Sequence, residues 1–242
     1  HGRRAGARRP RRRPRDRGAG GALVRHAVGH LAAGHHAHAR PLSPVAHHAD
    51  LHRAAPELRL YVREGIPDEQ ALELSRGNLD VLLGPLPIIG DDLEVQPLFR
   101  EPLHLVAASD DALAAAASVD PARLSGKLLL SIDRRHHYHR QVAELAELYG
   151  MRLAADYEGT SLDSLHQMAA SGLGLTVLPA LYLYSDVGGT AGVRVLPVSG
   201  WRAYRSIALA WRRSSSMTSA FRLLADQIQR SAVDALKAIA SA

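Results

Sequence analysis

The stretch from Tyr157 to Pro179 leaves little choice of local architecture. Residues Leu153–Tyr157 lead into Glu158-Gly159-Thr160-Ser161-Leu162-Asp163, an apolar helical period then runs to Met168, and Gly172-Leu173-Gly174 precedes Leu175-Thr176-Val177-Leu178-Pro179. This spells a strand, a capped helix, a glycine stop and a second strand. Thr160 or Ser161 supplies the cap, and Asp163 in the first turn complements the helix dipole. Two adjacent hydroxyls and free helix N–H groups at a strand end are equipment for holding a small polar or anionic ligand. Ordinary capping explains the same two residues. Gly172-Leu173-Gly174 ends a helix instead of opening one, so it is not a dinucleotide fingerprint.

The same grammar repeats from about Leu51 onward. Strands are expected at Leu58–Arg63, Leu79–Leu83, Val95–Leu98, Leu103–Ala108, Lys127–Ile132, Val193–Pro197 and Ser206–Trp211. Helices are expected at Asp68–Arg76, His137–Tyr149 and Ser219–Ile239, with one capped turn at Asp120-Pro121-Ala122-Arg123-Leu124. Strands alternating with helices predict an α/β fold, with mostly parallel sheets and helices on both faces. Ligands of such sheets bind beyond the carboxyl ends of the strands.

Residues 1–50 differ from the rest. They lack Lys, Glu, Ile, Thr, Asn, Gln, Met, Phe, Tyr and Trp, and they gather histidines at His35, His36, His38, His47 and His48. Arg3 to Arg17 holds nine arginines and one acid, so the formal charge of +6 belongs to this tail and the remainder is slightly acidic. The body of the chain therefore carries no nucleic-acid signature. Three readings compete for the tail: an arginine-rich arm for nucleic-acid phosphate, a histidine tract for Ni or Zn, and codons of a G+C-rich gene read out of frame. The last accounts for the missing residue types, and we take the tail as disordered or out of frame.

The chain has no cysteine, which excludes disulfides, thiol catalysis and thiolate metal sites. No apolar run approaches the roughly 18 residues of a membrane span, and the basic start is not followed by a secretory apolar segment. A cytoplasmic protein is expected. Asp133-Arg134-Arg135-His136-His137-Tyr138-His139-Arg140 forms a second polar cluster after a strand end. It suits an anionic effector or a group titrating near neutrality, and equally a solvated basic helix start. Its spacing does not suit zinc. No nucleophile elbow, phosphate loop or triad is present, and Asp91-Asp92 read as solvated loop acids. No enzyme activity, cofactor or metal is expected.

Taken in order, Pro56-Glu57-Leu58-Arg59-Leu60, Glu64-Gly65, Leu79-Asp80-Val81-Leu82-Leu83-Gly84, Pro97-Leu98-Phe99-Arg100-Glu101-Pro102-Leu103 and the Thr160–Pro179 block resemble the effector-binding domain of LysR-type transcriptional regulators. The resemblance covers about residues 51–239, and the Glu158–Pro179 block is most similar to the branch containing the hydrogen-peroxide sensor. It implies two subdomains of periplasmic-binding-protein type, crossed twice by the chain, with an effector cleft between them. One would comprise 51–103 plus 206–242 and the other 104–205. It implies a small-molecule effector near Thr160, Ser161, His136, His137, Gly84 and Pro85. It also implies a homodimer or homotetramer in the parent protein, with the helix His137–Tyr149 among the pairing elements, and no membrane. A solute-binding protein of the same architecture is the alternative.

Three departures accompany the resemblance. The peroxide sensors carry a His-Cys pair and a second Cys where this chain has His136-His137 and Ala146, so thiol oxidation is not available. Pro67 stands where the family has a cleft threonine. The winged helix-turn-helix, through which the family binds DNA, and the first core strand are replaced by the tail. A sheet lacking that strand leaves backbone groups unpaired at roughly 1–3 kcal/mol each, so poor folding is expected of the chain as written.

Overall fold

The computed structural model describes residues 27–29, 61–63, 65–159, 161–184 and 190–241. Thr160 and the first half of the strand expected at Leu58–Arg63 lie outside them. The strands are β1 (Ala27–Gly29), β2 (Val81–Pro85), β3 (Leu93–Ala108), β4 (Leu128–Ile132), β5 (Arg152–Gly159), β6 (Leu175–Pro179), β7 (Val193–Val195) and β8 (Tyr204–Arg212). The helices are α1 (Pro67–Ser75), α2 (His137–Leu148), α3 (Leu162–Ala170), the single turn α4 (Ala180–Leu183) and α5 (Thr218–Ala240).

Strand β3 organises the molecule. Its first part pairs antiparallel with β8, from Leu93 opposite Arg212 to Pro102 opposite Tyr204. Its second part pairs antiparallel with β6, from Leu103 opposite Pro179 to Val106 opposite Thr176, and its end pairs with β7. The strand order is β1-β2-β8-β3-β6-β4-β5, with β7 beside β3. The two strands expected at Val95–Leu98 and Leu103–Ala108 are thus one. Pro97 and Pro102 break the alternation in the sequence, but the ladder takes Pro97 at a register shift before Phe99 and continues.

Parallel pairing holds between β1 and β2, β4 and β5, and β4 and β6. The other described pairings, all made by β3 or β8, are antiparallel. The sheet is therefore mixed, with parallel pairing in each outer portion. Physically, β4 is joined to β5, and β5 to β6, through a helix, and helical crossovers produce parallel neighbours.

Two cores flank the shared strand. On the β8 side, Val81, Leu83, Leu209 and Trp211 pack under Phe221, Leu224 and Ala225 of α5, while Leu82 and Ala210 face Leu74 of α1. Alternate residues of one strand thus serve opposite faces, as the period of two requires. On the β6 side, Val106, Leu129, Leu130 and Val177 pack with Val142 of α2 and Leu165 and Ala169 of α3. Helix α2 stops where the sequence predicts: Tyr149 caps it and Gly150 takes φ +65°, a left-handed conformation that glycine adopts without strain.

Ala27–Gly29 form β1, parallel to β2 with Ala27 opposite Val81 and Gly29 opposite Leu83. An exposed ladder edge pairs readily with backbone that reaches it.

Candidate functional site: helix starts facing across the sheet junction

The carboxyl end of β4 turns through Asp133-Arg134-Arg135 into α2. Asp133 Oδ1 accepts from the Arg135 backbone N–H at 2.9 Å, and Oδ2 accepts from Arg135 Nη2 at 2.7 Å. Those bonds hold the Asp133 carboxyl well below the usual carboxylate range. His136 is the N-cap residue of α2 with no capping side-chain bond, and His137 is the first helical residue. His139 Nδ1 lies 3.0 Å from the Ile132 carbonyl and ties the helix back to its strand.

Helix α1 comes from the other side of β3, and its start meets the start of α2. Arg140 Nη2 lies 3.7 Å from Asp68 Oδ2. Asp68 and Glu69 also act electrostatically on His136, and Asp68 on His137. Both imidazoles are half-buried, and burial lowers their pKa. Around His136, Asp133 opposes that shift and Arg135 adds to it; around His137, Arg140 adds to it and Asp68 opposes it. His104, on β3 at the junction, is lowered by burial too, with Glu101 opposing.

The pH consequence has a definite sign. A histidine lowered below 6.5 in the fold binds its proton more readily when unfolded, so stability is complete above that value and declines as pH falls toward the folded pKa. The urea midpoint should therefore drop between pH 7.5 and 5.5, and His104→Asn should flatten the drop. Parallel pH profiles for the variant and the parent would contradict this.

Gly84 and Pro85 end β2 opposite Ala208 and Ile207, and Leu86 N–H continues the ladder to the Ser206 carbonyl at 2.9 Å. Gly84 is buried, yet a Cβ there would meet only Leu82 Cδ1, at 3.9 Å. Packing does not demand glycine at this position.

Ser161 opens α3. Its Oγ accepts from Ser164 N–H at 3.2 Å, and Ser164 Oγ accepts from Ser161 N–H at 3.0 Å, a reciprocal cap built from two serines. Ser161→Ala should cost about 1 kcal/mol of stability in urea unfolding. A loss below a few tenths would mean that the cap is dispensable. Ser161 and His136 follow neighbouring strands, since Ile132 stands opposite Gly159.

Other polar residues at the junction were not singled out by the sequence. Glu101, fully buried on β3, accepts from Arg205 Nε of β8 at 2.7 Å and from the Leu181 backbone N–H of α4 at 2.8 Å. Gln141 Nε2 donates to the Tyr204 carbonyl at 2.5 Å, and the Arg100 guanidinium lies 4.2 Å from the centre of the Tyr204 ring. Behind α3, Tyr182 donates to Asp163 Oδ1 at 2.7 Å, and its hydroxyl lies 3.3 Å from His166 Nδ1, whose Nε2 approaches the Ala191 carbonyl at 2.9 Å. Burial first, and the bond to Asp163 second, drive the Tyr182 phenol far above its ordinary pKa. Local sequence gives little sign of these pairings, which join residues far apart in the chain. Among the described residues no group of three or more His, Asp or Glu could hold a metal ion, and no helix is long and apolar enough to cross a membrane.

This architecture has known counterparts. The chain is 30% identical over 179 residues to the hydrogen peroxide-inducible genes activator of Dickeya chrysanthemi, covering 74% of this chain and 58% of that protein. The DNA-binding transcriptional dual regulator OxyR of Escherichia coli K12 matches with the same identity and coverage. The chain thus spans 58% of the length of these curated relatives. Among solved structures, the reduced OxyR regulatory domain of Pseudomonas aeruginosa superposes with a TM-score of 0.72 at 29% identity, covering 88% of this chain and 97% of that one. The hydrogen-peroxide-bound C206S mutant of Corynebacterium glutamicum OxyR gives a TM-score of 0.74 at 25% identity, over 93% and 70% of the two chains. The family model described as the LysR substrate binding domain matches residues 29–232, further into the tail than the motifs alone reach, and the chain belongs to that family.

Proposed function

We propose that this chain is the effector-sensing half of a bacterial, cytoplasmic LysR-type transcription factor, and that it senses by closing two lobes on a small molecule without transforming it. The lobes would be 51–103 plus 206–242 and 104–205. The observation that carries this reading is the meeting of α1 and α2 across the shared strand, where Asp68 faces Arg140 and the two histidines. A molecule entering there would touch groups from both lobes, and only such a ligand biases their relative orientation. The comparisons support the regulator reading over a free-standing solute-binding protein, because the matched relatives are transcriptional regulators.

Binding is non-covalent in this reading. With no cysteine in the chain and a buried Ala146 packed in the core, the site has no thiol to oxidise. His136, His137, Thr160, Ser161, Gly84 and Pro85 are the proposed walls. In the parent protein, two such domains would pair side by side, with α2 among the contacts, and DNA would be held by a helix-turn-helix.

The test is a thermal-shift screen of small metabolites followed by calorimetry. A true effector should lose about tenfold in affinity, ~1.4 kcal/mol, in His137→Ala. It should do likewise in Ser161→Gly, a change that keeps most of the cap's stability. Unchanged affinity in both variants would remove these residues from the site. Small-angle scattering that shows no compaction with bound effector would remove the closure.

A further inference from the structure

Gln70 is the one polar residue on the buried face of α1, between Pro67 and Leu74. It is 3% exposed, and neither its Nε2 nor its Oε1 has a hydrogen-bond partner. Buried side-chain amides almost always find partners, and an orphaned one lowers stability. Leucine or methionine would fill the same volume without that cost. A buried amide kept where an apolar residue would be more stable is the pattern of a functional site.

The position of the carboxamide is informative. A Cβ on Gly65 would collide with Gln70 Nε2 and lie 3.1 Å from Cδ, so the amide rests on the bare backbone of Gly65. Gly65 lies two residues before α1, at the same helix start that faces α2. Ile66, the N-cap residue, offers no capping side chain, and Pro67 has no N–H to give. The charges nearby select against an anion. Asp68 and Glu69 occupy the first turn, Arg140 is already opposite Asp68, and Arg63 is already paired with Glu73.

We infer that Gln70 is a specificity-determining residue that takes a neutral ligand bearing a carboxamide, or another group presenting a donor beside an acceptor. The ligand carbonyl would accept from Gln70 Nε2–H while its own N–H donates to Oε1, which satisfies both orphaned atoms at once. A carboxylate would fill only the donor and leave Oε1 against a negative oxygen. The inference rests on the cleft reading above and names the chemistry of one wall.

Propionamide and propionate, titrated into the full chain at millimolar concentrations with ligand-observed NMR, test it. Propionamide should bind saturably and at least about tenfold more tightly than propionate. Gln70→Leu should abolish that binding while raising the thermal midpoint, a combination that mere structural damage does not produce. Gly65→Ala, which pushes the amide off its seat, should weaken binding through a second residue. Equal binding of the two probes, no binding of propionamide to the parent chain, or undiminished binding to Gln70→Leu would overturn the inference. If Gln70→Leu binds normally but His137→Ala does not, the cleft reading stands and the role of Gln70 falls. If a probe lost by Gln70→Leu is indifferent to both His137→Ala and Ser161→Gly, Gln70 binds outside the proposed cleft, and the inference that it forms one wall of that cleft is overturned, while the effector titration tests the cleft itself.

Discussion

Arg205→Met is expected to destabilise the fold by about 3–5 kcal/mol, the range found when one partner of a buried ion pair is removed. Glu101 is fully buried, and Arg205 Nε is its charge partner at 2.7 Å; the remaining bond, from Leu181 N–H, cannot neutralise it. The pair matters beyond its energy because Glu101 sits on β3 and Arg205 on β8, next to where each strand passes the junction. A second substitution separates the lost charge from lost packing. Glu101→Gln keeps an acceptor for Leu181 N–H and removes the charge, so the Glu101→Gln/Arg205→Met double variant should recover at least ~1 kcal/mol relative to Arg205→Met alone. Urea unfolding of the four proteins measures the coupling. If the double variant is as unstable as the sum of the singles, the pair carries no specific interaction.

Phe221→Ala should cost a similar amount, about 3–5 kcal/mol, through the cavity it leaves. Phe221 is fully buried and lies 6.0 Å, centroid to centroid, from Trp211 on β8. That contact anchors α5 to the sheet, so the loss should appear as early melting of helix signal in circular dichroism. A midpoint within a degree or two of the parent would mean that α5 contributes little.

How much of this was legible beforehand follows from the range of each interaction. The apolar runs at Leu79–Leu83 and Lys127–Ile132 and the cap at Asp120, whose carboxylate accepts from Ala122 N–H at 2.8 Å, are local and were readable. So were the helix starts at Ser161 and His136. The unity of β3 was hidden by two prolines whose place in a ladder only the partner strand decides. Strand β1 was hidden because Ala-Val-Gly has no pattern of its own and is made a strand by the free edge of β2. At the site, Glu101 and Arg205 are separated by 104 residues, and Asp68 and Arg140 belong to different halves of the fold. Neither pairing leaves a trace in spacing. Gln70 gives no signal in the sequence because glutamine in an amphipathic helix ordinarily belongs to the wet face.

Strand β3 has a mechanical consequence. Because a single unbroken ribbon of backbone belongs to both halves, they cannot swing like doors on a slack tether. Rotation of one against the other would be taken up as torsion along that ribbon and its neighbour β8. In a sensor built this way the torsion would bear on the Glu101–Arg205 bond, which ties the two strands together where they pass the junction.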